Sequence, residues 1–139
     1  MLDIKGTKTL VVNNHFESNG LSSGDKEGFK TLVKGELKTD EAKKQSVHLI
    51  KKLGDVSARR APQAEAVARF VKKYLDKQIP VILCGDFNDS PLSYTHHVIS
   101  KELNDCYVES GNGPGISYHK SGMYFRIDHI FCSDDFESY

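Results

Sequence analysis

The chain has 139 residues, the length of one ordinary domain. Lys and Arg number 19, as do Asp and Glu, so the formal net charge is zero with histidine neutral, and there is no overall pull toward nucleic acid or anionic lipid. Apolar residues at 38% and charged residues at 27% suit a globular chain rather than a disordered one. The longest apolar run, residues 79–84, is too short to span a bilayer.

Residues 1–8 mix charged and apolar side chains and do not resemble a signal peptide; localisation stays open. Thr9-Leu10-Val11-Val12 reads as a buried strand opening into the polar Asn13-Asn14-His15. Residues 17–40, rich in Gly, Ser and Lys, read as a long loop of the lid, binding-loop or disordered kind. Asp40 is a candidate cap for a helix to about Leu53, with Ala42, Ser46, Leu49, Ile50 and Leu53 on one face. A second helix is expected after Gly54, with Ala64, Val67, Ala68, Val71 and Leu75 as its buried stripe and Pro62 in its first turn.

Residues 79–84 show no alternation and predict a strand buried on both faces. The turn-rich Gly85-Asp86-Phe87-Asn88-Asp89-Ser90-Pro91 follows. It should lead into a short helix with Pro91 in first position and Asp89 or Ser90 as cap. Residues 104–110 predict a short strand and residues 111–115 a loop. Residues 116–119 and 123–132 flank Ser121-Gly122 as a hairpin. Strict alternation in its second strand puts Phe125, Ile127, His129 and Phe131 on one face, with Arg126 and Asp128 on the other. Cys84, Cys106 and Cys132 fit neither a disulfide framework nor a zinc site and read as buried free thiols.

Polar groups stand at the ends of apolar strands in three places: Asn13 with His15, Asp86 with Asn88, and Asp128. Strand ends give the rigid placement that reacting groups need. Each group also has a plain structural explanation. A lone His is often just hydrogen-bonded, Asp-x-Asn is often a turn, and Arg126 could serve as the ion-pair partner of Asp128.

Three segments together carry more information than any one of them. Residues 11–17 (Val-Val-Asn-Asn-His-Phe-Glu), 85–93 (Gly-Asp-Phe-Asn-Asp-Ser-Pro-Leu-Ser) and 126–131 (Arg-Ile-Asp-His-Ile-Phe) resemble, in order, motifs of the endonuclease/exonuclease/phosphatase superfamily. The central Gly-Asp-Phe-Asn is the most specific. The resemblance implies an α/β (α+β) fold, part of a four-layer α/β-sandwich with helices on the outer faces of two β-sheets. It implies hydrolysis of phosphate esters with Mg²⁺ or Mn²⁺ and no covalent enzyme intermediate. His15 would contact the scissile phosphate and stabilise or protonate the departing oxygen. Asp86 would orient or deprotonate the attacking water. Asn88 would hold that water or a phosphate oxygen, and Asp128 would orient a catalytic histidine from behind. Asn13, His15 and Asn88 would bind substrate, and Asp86 and Asn88 would contribute to the metal. The substrate class, whether nucleic acid, phospholipid or small phosphate ester, stays open.

The chemistry is coherent on physical grounds. Phosphodiester hydrolysis needs a positioned water, a base beside it, and positive charge or donors on the phosphoryl oxygens. Oxygen ligands suit a hard divalent cation. Two family segments have no counterpart in residues 1–139: an N-terminal region with a metal-binding Glu, and a C-terminal Ser-Asp-His. His129 stands where the family usually carries an aromatic and does not substitute for the terminal His. The expectation is therefore a partial domain, inactive by itself, whose uncovered sheet edges favour self-association. The rival expectation is a catalytically silent scaffold of the same fold that binds a partner.

Overall fold

The computed structural model describes residues 1–35, 39–120 and 123–139. Its main sheet has five strands in the order β1-β2-β3-β7-β4. These are β1 (Leu2–Ile4), β2 (Thr7–His15), β3 (Val81–Asp86), β4 (Asn104–Asp105) and β7 (Asp128–Cys132). The sheet is mixed, with β2 parallel to β3 and the pairs β1–β2, β3–β7 and β4–β7 antiparallel. β5 (Tyr118–Lys120) and β6 (Met123–Phe125) form a separate antiparallel pair. The expected turn at Ser121-Gly122 lies outside the described residues.

Strand register sorts the sheet into two faces. Leu10 and Val12 lie beside Val81 and Leu83, and Leu83 beside Phe131. These side chains form the core with Ala64 and Val71 of α2 (Asp40–Leu75) and Val98 and Ile99 of α3 (Tyr94–Ile99). Phe16 and Phe87, just past the ends of β2 and β3, close this core with ring centroids 5.0 Å apart. The opposite face carries Val11, Ile82, Cys84 and Ile130. The first three are half-buried and Ile130 is 55% exposed. Helices packed on one outer face of a sheet give the α/β class expected from the sequence.

Several elements differ from expectation. The two helices expected around Gly54 are one 36-residue helix, capped by Thr39 rather than Asp40, with Pro62 inside it. The reason is phase. Ser46, Leu49, Val56, Arg60, Ala64 and Val71 are buried at steps of three, four or seven residues, so the two apolar stripes form one continuous face. Tertiary burial along it outweighs the ~3 kcal/mol that an interior proline costs.

Residues 17–40 are not one long loop. α1 occupies Ser23–Val33, opened by a capping box in which Ser22 and Asp25 exchange hydrogen bonds. Lys52 of α2 pairs with Asp25 at 2.6 Å, which ties α1 to the long helix. Pro91 does not open the next helix, because the cap of α3 is Ser93, whose Oγ accepts from His96 N–H at 3.1 Å.

Residues 104–110 split into the two-residue β4 and the short helix α4 (Cys106–Ser110). Asp105 makes the switch by accepting from the N–H groups of Tyr107 and Val108. Residues 123–132 also split, at Arg126-Ile127, where both Ile127 N–H and Asp128 N–H donate to Ser117 Oγ at 3.0 Å. β6 then belongs to the hairpin and β7 to the main sheet. At the N-terminus, Lys5-Gly6, both at positive φ, make the tight turn of a hairpin between β1 and β2.

Candidate active site

Gly85 sets the spacing of the central strands. Its φ is +145°, and a Cβ at this position would lie 1.9 Å from the Asn14 carbonyl oxygen. Only glycine lets β3 run this close to β2. Immediately beyond it, His15 is paired in register with Asp86, and Asp86 with Asp128. Three polar residues from three neighbouring strands thus form one row across the end of the sheet. His15 Nε2 is 3.9 Å from Asp86 Oδ2. Asn13 is exposed two residues earlier on the same face of β2.

Asn88 joins the row through the turn. Its N–H donates to Asp86 Oδ1 at 2.7 Å and its side-chain amide donates to Phe16 O at 3.1 Å. Its φ of +50° is one that Asn tolerates better than most residues. The structure therefore brings His15, Asp86, Asn88 and Asp128 to one end of the sheet. Asp86 keeps Oδ2 free of the turn, Asp128 is exposed, and the amide orientation of Asn88 leaves its oxygen unbonded within the turn. Such a set of oxygen donors, with no sulfur among them, suits a hard divalent cation.

Arg126 is not the partner of Asp128. Its guanidinium donates to both oxygens of Asp105, at 2.9 and 2.7 Å, because the bend at Arg126-Ile127 breaks the alternation that would have aligned it with Asp128. His96 Nε2 lies 2.6 Å from Asp105 Oδ2, and His129 Nδ1 lies 4.0 Å from it. The ligand atoms of His96, Asp105 and His129 fall within 4.8 Å of one another, close enough to consider a metal. Arg126, however, already supplies the cation that Asp105 requires, and a divalent ion on Oδ2 would face that guanidinium. The group therefore works as a buried ion-pair network behind the row. His129 packs like an aromatic, 4.9 Å from the Phe87 ring, in keeping with its place in the third motif.

Burial pushes the Asp105 carboxyl up, but hydrogen bonds from His96 and Arg126 outweigh it and hold the group well below the usual carboxylate range. Burial pushes the His129 imidazole down, against a smaller opposing effect of its bond to Asp89 O. In both cases the folded value lies below the unfolded one, so the unfolded chain binds more protons and acid destabilises the fold. The His129 share is complete above its ordinary value of 6.5 and is lost as pH falls through its folded value. The Asp105 share is complete above 3.8 and is lost at still lower pH. Thermal midpoints measured across this range should fall in two stages. His129→Phe should flatten the first stage and Asp105→Asn the second; a wild-type midpoint that does not move with pH would contradict the assignment.

Arg60, from the middle of α2, is 2% exposed and was not anticipated from sequence. Its guanidinium donates to Asn88 O and, at 3.0 Å, to Asn19 Oδ1, while Asn19 Nδ2 donates to Asn88 O at 3.1 Å. Its Nε is 3.6 Å from Asp89 Oδ2. Burial lowers the guanidinium pKa, opposed by the charges of Asp89, Glu17 and Asp86. The long helix thereby fixes the loop that carries Asn88.

A family model described as the Endonuclease/Exonuclease/phosphatase family matches residues 9–139. Among solved structures, the chain is similar to an endonuclease/exonuclease/phosphatase family protein from Bacteroides thetaiotaomicron, with 29% identity over 55% of this chain and 31% of that one, at a TM-score of 0.42. It is also similar to a functionally unknown conserved protein from Enterococcus faecalis V583, with 22% identity over 55% of this chain and 33% of that one, at a TM-score of 0.41. The match thus spans about a third of the length of each. No curated protein matches. With the family model covering nearly all of its length, and the three motifs within that match, the chain belongs to the endonuclease/exonuclease/phosphatase family.

Proposed function

We propose that this chain is the phosphate-handling part of a metal-dependent hydrolase of phosphate esters. The observation that supports this reading best is the row of His15, Asp86 and Asp128 on adjacent strands at one register level. A phosphoryl group placed over that row would meet a ring N–H from His15 on one side and a carboxylate from Asp86 beside it. Asp86 orients the attacking water and accepts its proton. His15 donates to a phosphoryl or departing oxygen, and exposed Asn13 can contact the same ester. Asn88, fixed by Asp86 and Phe16, presents its amide to the water or the phosphate. Asp128 holds the far end of the row, where it can orient an imidazole supplied from beyond residues 1–139.

Asp86 and Asn88 would hold Mg²⁺ or Mn²⁺, which when bound neutralises charge on the phosphoryl oxygens. One carboxylate and one amide leave most of an octahedral shell to water. Further ligands from the rest of a family-length protein complete the site in this proposal, and residues 1–139 alone turn over no ester. The substrate is a phosphodiester or phosphomonoester small enough, or extended enough, to reach an exposed row.

Two measurements test this reading. Mn²⁺ added to the chain should selectively broaden the NMR signals of Asp86 and Asn88, and Asp86→Asn should abolish the effect. In a polypeptide of the length of its structural relatives, Asp86→Asn or His15→Ala should lower Mg²⁺- or Mn²⁺-dependent release from a chromogenic phosphodiester at least ~10²-fold, the usual scale for a positioned base or charge stabiliser. Full activity in the Asp86→Asn protein would refute the assignment and favour the silent scaffold.

A further inference from the structure

We infer that Cys106 and Cys132 form a dithiol built to close into a disulfide, a modification site that adjoins the Asp128 end of the phosphate-handling row. β4 and β7 are antiparallel with Asn104 opposite Cys132 and Asp105 opposite Phe131. Cys106 opens α4 directly after β4, beside the end of β7 where Cys132 lies. The two sulfurs lie 3.4 Å apart. Bond formation needs a further approach of roughly 1.4 Å to a covalent length near 2.0 Å. Cys84, the third cysteine, lies on β3 in register with Ile130, and among the described residues the sulfur–sulfur contact is between Cys106 and Cys132.

The two thiols are unequal, and that fixes the order of events. Cys132 is buried, and burial with the neighbouring Cys106 sulfur pushes its thiol up to about 12. Cys106 is half-buried and lines a surface cavity of about 320 Å³ together with Tyr107, Arg126 and Asp128. One arm of a small-molecule disulfide of the glutathione type can approach the Cys106 sulfur there. The Cys106 thiolate attacks one sulfur of oxidised glutathione, forming a mixed disulfide and releasing one glutathione thiolate. Cys132 then gives up its proton and attacks the Cys106 sulfur, releasing the second glutathione. Two protein thiols are oxidised and one glutathione disulfide is reduced to two thiols. The new bond fastens the start of α4 to the end of β7, next to Asp105 and its buried partners.

The test treats the fully reduced chain with oxidised glutathione at neutral pH without denaturant, followed by alkylation and peptide mapping. Alkylatable thiols should drop from the three present in the reduced chain to Cys84 alone, with no glutathione retained. Cys132→Ser should keep glutathione on Cys106. Cys84→Ser, which leaves both members of the pair untouched, should still form the bond and show a raised thermal midpoint on oxidation. Glutathione retained on wild-type Cys106, a bond that includes Cys84, or an unreactive Cys106 would each overturn the inference.

Discussion

Asp105→Ala should destabilise the fold by about 3–5 kcal/mol, the scale for leaving a buried charge without its partner. Asp105 accepts from both arms of Arg126, from the Tyr107 N–H, and lies against His96 Nε2. Truncation leaves a guanidinium that is almost fully enclosed, with side-chain exposure of 9%, and no counter-charge among the described residues within ion-pair distance. Chemical denaturation should show the loss as a lower midpoint at unchanged slope. The double variant Asp105→Leu/Arg126→Met should recover much of it, because an apolar pair needs no desolvated charge. If the single and double variants were equally unstable, the cost would lie in packing and not in the stranded charge.

Gly85→Ala should be nearly as damaging for a different reason. The added methyl would meet the Asn14 carbonyl oxygen, carbon and nitrogen at 1.9, 2.8 and 2.9 Å, all backbone atoms of the neighbouring central strand. Relief requires moving β2 away from β3, on top of holding a non-glycine residue at φ +145°. Overpacking of roughly 1–3 kcal/mol and backbone strain of about 1–3 kcal/mol together predict a loss of about 2–6 kcal/mol. The same shift moves His15 away from Asp86. Denaturant midpoints measure the first effect, and altered NMR chemical shifts of the His15 ring measure the second. A stable Gly85→Ala chain with wild-type His15 behaviour would show that the strands have slack that the glycine does not need.

What the sequence disclosed follows from how local each signal is. The apolar run before Gly-Asp-Phe-Asn marks β3, and the alternation after Ile127 marks β7, because strand patterns are written in adjacent residues. His15, Asp86, Asn88 and Asp128 were legible as polar groups ending apolar strands. The Arg126–Asp105–His96 network was not, since its members come from the β6–β7 bend, β4 and α3, and none carries a local signature. Arg60 was hidden for the same reason, as one charged residue in a helix rich in them. The capping box at Ser22 and Asp25 was available in the sequence, but the surrounding Gly, Ser and Lys obscured it. Gly54 and Pro62 point to two helices because a breaker is a local signal, whereas the phase of the apolar stripe across them emerges only over several turns.

The parallel pairing of β2 with β3 has a consequence for how the chain assembles. His15 and Asp86 become neighbours only after the whole intervening segment, including the 36-residue helix, has been closed into a loop. Closure of so long a segment costs entropy before any strand contact repays it. The helices can form locally and early, whereas the central sheet must wait. Asp128 lies in β7, the last strand in chain order among the described residues. A chain emerging from the ribosome therefore holds α1 and α2 well before it holds any candidate site, and the polar row arises in one late step when β7 docks against β3.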